Sequence, residues 1–154
     1  MKLEIISISN KLSKLEEEII DFYLKQISFH TSLKIENIKP AQGKRSNIKE
    51  VQADEERRIS KKIKTDSIVV SFDRNGKQFN SVQFADLISI LMSSAKDSYL
   101  IIGGSNGLSN SFLKKSDHVI SFSALTFPHK LFKILLVEQI YRSISIMNNK
   151  PYHK

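Results

Sequence analysis

Apolar residues in this chain follow two rhythms, and the places where one gives way to the other mark the expected elements. Residues 2–9 alternate, with Leu3, Ile5 and Ile8 toward one side, and read as a first strand. Across residues 11–29 the spacing changes. Leu12, Leu15, Ile19, Phe22, Tyr23 and Ile27 keep one helical face apolar, while Glu16, Glu17 and Glu18 fall largely on the wet side. A short strand is expected over 33–38. Residues 39–47, KPAQGKRSN, combine Pro, Gly and cations without apolar periodicity, which makes them a loop. Residues 48–64 then read as a charged helix with few apolar anchors: Ile48, Val51, Ile59 and Ile63.

From residue 67 the pattern tightens. SIVVSF over 67–72 is a continuous apolar run of the kind buried on both faces of a parallel sheet. DRNGK over 73–77 predicts a turn, and 81–92 a helix. A buried strand, SYLII over 98–102, runs into Gly103 and Gly104, with a short helix expected after Leu108. HVIS over 118–121 is the last strand. Pro128 then opens a long helix to about Met147, with Thr126 as the expected N-cap and the proline in the first turn. Strands alternating with helices predict an α/β fold with helices on both faces of one sheet, and nothing suggests a repeat or a linker that would split residues 1–154 into two domains.

Composition narrows the chemistry. There is no cysteine, which excludes a disulfide framework, a thiolate nucleophile and a Cys-based zinc site. No HxxxH or HExxH spacing occurs, so no metal is expected. The N-terminus lacks an apolar signal core and no run approaches the roughly 18–20 apolar residues of a membrane span; a cytoplasmic protein without membrane contact is expected. The net charge of +8 favours encounters with polyanions such as nucleic acid or ribosomes.

Three segments carry candidate chemistry. Glycines directly after a buried strand, in LIIGGSNGL over 100–108, let a ligand approach the backbone closely, although glycines also serve tight turns. The first strand is followed by Ser-Ile-Ser-Asn-Lys, with no dinucleotide fingerprint, and Gly43-Lys44 is not part of a phosphate-binding loop. The second segment, SFSALTFP over 121–128, interleaves small hydroxylated residues with large apolar ones. It reads equally as an adenine-edge binder flanked by Leu125 and Phe127, or as a strand-to-helix connector. The third is the C-terminal tail, where Tyr152 and His153 would by default be solvated. The last helix is apolar around most of its circumference, which predicts cover from a partner subunit. Within it Arg142 requires an anionic or hydrogen-bonding partner, such as Glu138 of a second subunit.

Taken in order, Ile-Ile-Gly-Gly-x-x-Gly-Leu, Ser-x-Ser-x-x-Thr-x-Pro-His, Glu-Gln-x-Tyr-Arg and a terminal Tyr-His resemble the RlmH family, the bacterial 23S rRNA pseudouridine N3-methyltransferases of the SPOUT class. The likeness spans the whole chain, including the Lys-Leu-x-Ile start and the pair Gly76-Lys77. It implies a SPOUT α/β-knot: a parallel-rich sheet, helices on both faces and a C-terminal trefoil knot that binds S-adenosylmethionine, in an obligate homodimer. Carried over by position, the cofactor contacts are Phe72, Gly103, Gly104, Ser123, Ala124, Leu125, Thr126, Phe127 and Pro128. Phe72 departs from the leucine common in the family but keeps an apolar wall. Arg142, Tyr152 and His153 are implied near the target base, with the tail acting at the partner subunit's cofactor.

A sulfonium donor needs no metal to make its methyl electrophilic, but the target ring nitrogen must lose a proton. Either a neutral His153 accepts it, or Arg142 stabilises the negative charge that develops on the base. Lys39, Lys44, Arg45, Arg57, Arg58, Lys61 and Lys62 are expected to meet phosphates of 23S rRNA in an assembled ribosome. Two other readings remain open: a non-catalytic ribosome-binding module of the same fold, and a SPOUT methyltransferase acting on tRNA.

Overall fold

The computed structural model describes residues 2–42 and 47–153. Its first strand, β1 (Leu3–Ile8), is buried at all six positions rather than on one side. Leu3 and Ile5 enter one apolar cluster while Ile6 and Ile8 enter a second. A strand apolar on both faces belongs inside a parallel sheet covered by helices on each side, and β1 sits there. The strand order is β2-β1-β4-β3-β5, formed with β2 (Leu33–Ile38), β3 (Ile68–Gln78), β4 (Ser98–Ile102) and β5 (His118–Ser121). Every neighbouring pair is parallel. Four strands start level, with Leu3 opposite both Leu33 and Ser98, and Ser98 opposite Ile68. Their carboxyl ends therefore emerge along one edge.

Parallel strands require crossovers, and here these are helices. One face of the sheet carries α1 (Lys14–Ser28), α3 (Ser81–Ser93) and α5 (His129–Met147), packed over Leu3, Ile5, Val70, Phe72, Leu100, Ile102 and Ile120. The other face carries α2 (Ile48–Ser60) and the short α4 (Asn110–Lys114) over Ile6, Ile8, Tyr99 and Ile101. The helix starts follow local chemistry. Ser13 Oγ accepts the Glu16 N–H at 3.3 Å, which starts α1 three residues later than its apolar spacing alone suggests. Asn80 and Gln83 form a reciprocal capping box on α3, at 2.8 and 2.9 Å.

Several expectations change. The turn expected over 73–77 lies inside β3: Phe72 pairs with Ile120, residues 73–76 loop out, and Lys77 returns opposite the same Ile120. The bend signal is real, but Gly76 lets the chain rejoin β5. A Cβ there would lie 2.7 Å from the Ile120 carbonyl carbon. Thr126 does not cap α5. Pro128 occupies the N-cap position, and the helix has no side-chain cap. On α1 the buried positions are Ile20 and Ile27, whereas Leu15 and Phe22 are 66% and 61% exposed. The expected apolar face thus points partly outward, joined by exposed Ile19 and Phe29.

The buried side of α5 contains a cation. Lys133 is 0% exposed, and its Nζ donates to Ser9 Oγ at 2.7 Å and to Asn37 Oδ1, tying α5 to the ends of β1 and β2. Burial pushes its ammonium down from 10.5 to about 8, against a raising influence of Glu16. Between those two values the unfolded chain holds more protons at this site than the folded one, so the Lys133 contribution to stability rises with pH across that window. Relative to Lys133→Met, wild type is expected to gain up to about 3 kcal/mol in unfolding free energy between pH 8 and 10.5. Paired urea titrations measure it; a difference independent of pH would mean that Lys133 keeps an ordinary pKa.

Candidate cofactor cavity and C-terminal cluster

The carboxyl ends of β3, β4 and β5 open onto one cavity of about 490 Å³. In open α/β sheets this is where ligands bind. Its apolar wall is a phenylalanine cluster. Phe72 lies 5.3 Å from Phe122 and 5.4 Å from Phe132, ring centroid to centroid, and Phe122 lies 5.1 Å from Phe132. Phe127 stands beside Phe132 at 6.5 Å. Such a wall suits a flat heteroaromatic ring.

Opposite it runs the glycine loop. Gly107 donates its N–H to the Gly104 carbonyl at 2.9 Å and adopts φ +69°, a conformation for which glycine is the natural residue. Helix α2 fastens this loop from behind. Gln52 Nε2 donates to the Asn106 carbonyl at 2.8 Å, and Glu56 accepts both the N–H and the hydroxyl of Ser109, at 2.6 and 2.8 Å. Glu55 is buried beneath Gly104, where a Cβ would lie 2.7 Å from its Oε2. Burial pushes the Glu55 carboxyl up, an effect opposed by the Ala41 N–H that it accepts at 3.1 Å. The third wall, 121–127, is shaped by its own hydroxyls: Ser121 Oγ donates to the Ser123 carbonyl at 2.9 Å, and Ser123 Oγ accepts the Leu125 N–H at 3.0 Å.

Of the residues expected at a cofactor, Phe72, Gly103, Gly104, Ser123, Leu125, Thr126 and Phe127 line this cavity. Ala124 and Pro128 are exposed and lie off its wall. Sequence reasoning missed Asp73, Arg74, Phe122, His129 and Phe132, which also line it. A signal existed for His129, which closes the Thr-x-Pro-His run, and for Asp73 and Arg74, which directly follow the buried run of β3.

The tail is not frayed. Asn149, at φ +51°, reverses the chain after α5, and Lys150 N–H returns to the Ser145 carbonyl at 2.9 Å. Tyr152 and His153 are thereby laid back on α5. Arg142 pairs with Glu138 of its own helix, with Nη2 at 2.6 Å and Nε at 3.0 Å from Oε1. The same Oε1 accepts the Tyr152 hydroxyl at 2.9 Å. The guanidinium also lies 4.9 Å from the centre of the Tyr152 ring, and its Nη1 is 3.3 Å from His153 Nδ1. Glu138 raises the Arg142 pKa further, while desolvation and then the Tyr23 and Glu138 hydrogen bonds raise that of the Tyr152 phenol. Arg142, Tyr152 and His153 are thus brought together, but none of them lines the cavity. Arg142 lies thirteen residues after His129 on one helix, roughly 20 Å along its axis.

Among the cations expected at RNA, Lys44 and Arg45 lie outside the described residues. Arg57 and Arg58 both pair with Asp54, Arg58 Nη1 donates to the Lys39 carbonyl at 2.6 Å, and Lys62 pairs with Glu36 at 2.6 Å. Lys61, at the end of α2, is exposed. Exposed pairs of this kind are worth about 0–1 kcal/mol and exchange readily for a phosphate. Among the described residues, no three His, Asp or Glu side chains group as metal ligands, and no helix is long and apolar enough to cross a membrane.

A sequence profile of the family described as "Predicted SPOUT methyltransferase" matches residues 1–153. The chain is 40% identical to a ribosomal RNA large subunit methyltransferase H of Acholeplasma laidlawii, covering 100% of both chains. It is 37% identical to a protein of the same name from Caldicellulosiruptor saccharolyticus over 99% of each. Among solved structures, a probable methylase family protein from Haemophilus influenzae superposes with a TM-score of 0.55 at 13% identity, over 99% of this chain and 70% of that one. That likeness supports the fold alone.

Proposed function

The chain belongs to the SPOUT methyltransferases, among relatives named ribosomal RNA large subunit methyltransferase H, and from that membership we propose that it methylates N3 of a pseudouridine in 23S rRNA on the assembled ribosome, with S-adenosylmethionine as donor. The full-length match to relatives of that name carries the reading. The cavity fits the donor: a phenylalanine wall for adenine, a backbone-lined loop where side chains would intrude, and a volume within the usual range for such ligands. Bound there, the sulfonium supplies an electrophilic methyl group without a metal.

The chain's own residues then bind and orient. Phe72, Leu125 and Phe127 would hold the adenine, with Gly103, Gly104 and residues 123–128 meeting its polar edge and the rest of the donor. Arg142, Tyr152 and His153 would face the target base, Arg142 countering the charge that develops as the ring nitrogen loses its proton. Because this cluster lies roughly 20 Å along α5 from His129, the tail is assigned to the cavity of a second copy in a homodimer. The exposed Leu15, Ile19 and Phe22 on α1 supply apolar surface for such a partner. The trefoil knot of the class belongs to the same proposal and rests on family membership. So does a cytoplasmic site of action, where ribosomes are found.

The test is mass spectrometry of 23S rRNA after incubation of purified protein and S-adenosylmethionine with ribosomes or with free RNA. One added methyl on a pseudouridine, with ribosomes preferred, is expected; modification of tRNA alone, or of nothing, overturns the reading. Lys39, Lys44, Arg45, Arg57, Arg58, Lys61 and Lys62, in and around α2 in the sequence, are proposed to contact rRNA. Replacing Arg57 and Lys61 together by Ala is expected to weaken ribosome binding about tenfold at moderate salt and to flatten its salt dependence by about two phosphate contacts. Affinity for S-adenosylmethionine should stay unchanged. Sedimentation at several salt concentrations reads both, and identical slopes would remove α2 from the interface.

A further inference from the structure

We propose that His129 is the proton acceptor for the target nitrogen and that His153 serves as a hydrogen-bond donor to the base; the assignment rests on the methyltransferase reading above. Methyl transfer to a ring N–H forms the N–CH3 bond, breaks the CH3–S bond and releases one proton. An acceptor must therefore stand at the wall of the cavity that holds the donor. Among the described residues, the titratable side chains on that wall are Asp73, Arg74 and His129. A guanidinium has no lone pair to offer. One oxygen of Asp73 already accepts the Asn75 N–H at 2.9 Å, and a carboxylate is a weaker base than an imidazole. His129 remains, half-buried in the first turn of α5.

Its surroundings keep the imidazole neutral. Burial holds the pKa of His129 below its usual value, and the Lys133 ammonium one turn along the same helix adds to the effect. The amino end of a helix also disfavours a cation. The charged groups around it are Lys130 and Lys133 on α5 and Asp73 and Arg74 on the cavity wall, with Glu16 of α1 acting on Lys133. The charge balance of the reaction also fits. A sulfonium in the cavity opposes protonation of His129 before transfer; as the methyl leaves, that charge disappears and the imidazolium takes its place.

The tail histidine is set up differently. Arg142 Nη1 lies 3.3 Å from His153 Nδ1, and a guanidinium only donates. Nδ1 is therefore the acceptor, and the neutral ring carries its hydrogen on Nε2. The free edge of His153 presents an N–H, suited to a carbonyl oxygen of the base and not to its N–H.

Two readouts test this. In turnover on ribosomes, His129→Asn is expected to lose at least about 100-fold in kcat while its affinity for S-adenosylmethionine stays within about threefold, and added imidazole should partly restore His129→Ala. Turnover of His129→Asn within threefold of wild type overturns the assignment. Independently of activity, nitrogen-15 NMR of the histidine rings should show a His129 pKa lower with S-adenosylmethionine than with S-adenosylhomocysteine, and His153 protonated at Nε2. A His129 pKa indifferent to the sulfonium, or a His153 protonated at Nδ1, overturns it even if a variant fails to fold. Failure of the methyltransferase reading would look different: wild type itself would leave rRNA unmodified.

Discussion

Gly76→Ala is expected to destabilise the protein by about 3 kcal/mol and to abolish most cofactor binding. The added Cβ would lie 2.7 Å from the Ile120 carbonyl carbon, 2.8 Å from its nitrogen and 2.8 Å from the Val119 carbonyl carbon. All three are backbone atoms of a strand already paired to β3, so no rotamer change relieves the clash and the strand itself must move. Overpacking usually costs about 1–3 kcal/mol, and a backbone obstacle belongs at the upper end. Ile120 and Ser121 also line the cavity, so their displacement should reach the ligand. Gly107→Ala is the informative control. Nothing lies within 4 Å of its would-be Cβ, but its φ of +69° should cost about 1–2 kcal/mol. Urea unfolding and calorimetry with S-adenosylmethionine measure both variants. Equal, small losses would mean that β3 rejoins β5 without crowding.

Gly76 also shows where sequence reading stops. Ser98–Ile102 has the bounds that its apolar run suggests, because a short, fully buried strand is decided by local burial, and Leu33–Ile38 and His118–Ser121 keep their expected bounds although they are only partly buried. For β3 the local signal, DRNGK, says turn. Only the partner strand reveals that the chain loops out and returns to the same ladder. The outward stripe of α1 has the same origin: periodicity locates an apolar face but not what covers it.

Within the site, the glycine and Ser/Thr loops could be found because they directly follow buried strands. Ala124 and Pro128 come from the family resemblance alone, and no local signal separates them from their neighbours, which line the cavity. His129 closes the Thr-x-Pro-His run, but a histidine in a first helical turn carries no assigned chemistry until the cavity beside it is known. Tyr152 and His153 would have been dismissed as a loose end on sequence alone. Their order depends on Asn149 reversing the chain and on one carboxylate, Glu138, receiving both Arg142 and Tyr152.

That dependence makes Arg142→Ala the variant with the largest expected effect on turnover, a loss of about 10²–10³-fold by comparison with removal of a charge-stabilising donor elsewhere. The substitution would take the cation from Glu138, leaving it the Tyr152 and Gln139 donors alone, take the donor from His153 Nδ1 and remove the cation from the Tyr152 ring. Arg142→Lys should restore little, since a single ammonium cannot donate through a planar fork to Glu138 and reach His153 as well. Affinity for S-adenosylmethionine should be spared, because Arg142 does not line the cavity. The same variant decides which subunit the tail serves. Consider a mixed dimer of Arg142→Ala with Gly103→Val, a change that intrudes on the glycine loop near Gly107 and Leu108. If tails act across the dimer, the intact cavity of the first chain meets the intact tail of the second, and about half of wild-type turnover returns. If each tail serves its own cavity, both sites are broken and none returns. Isolated by two different affinity tags, the mixed dimer gives one of these two rates, and a return of activity excludes the arrangement in which each tail serves its own cavity.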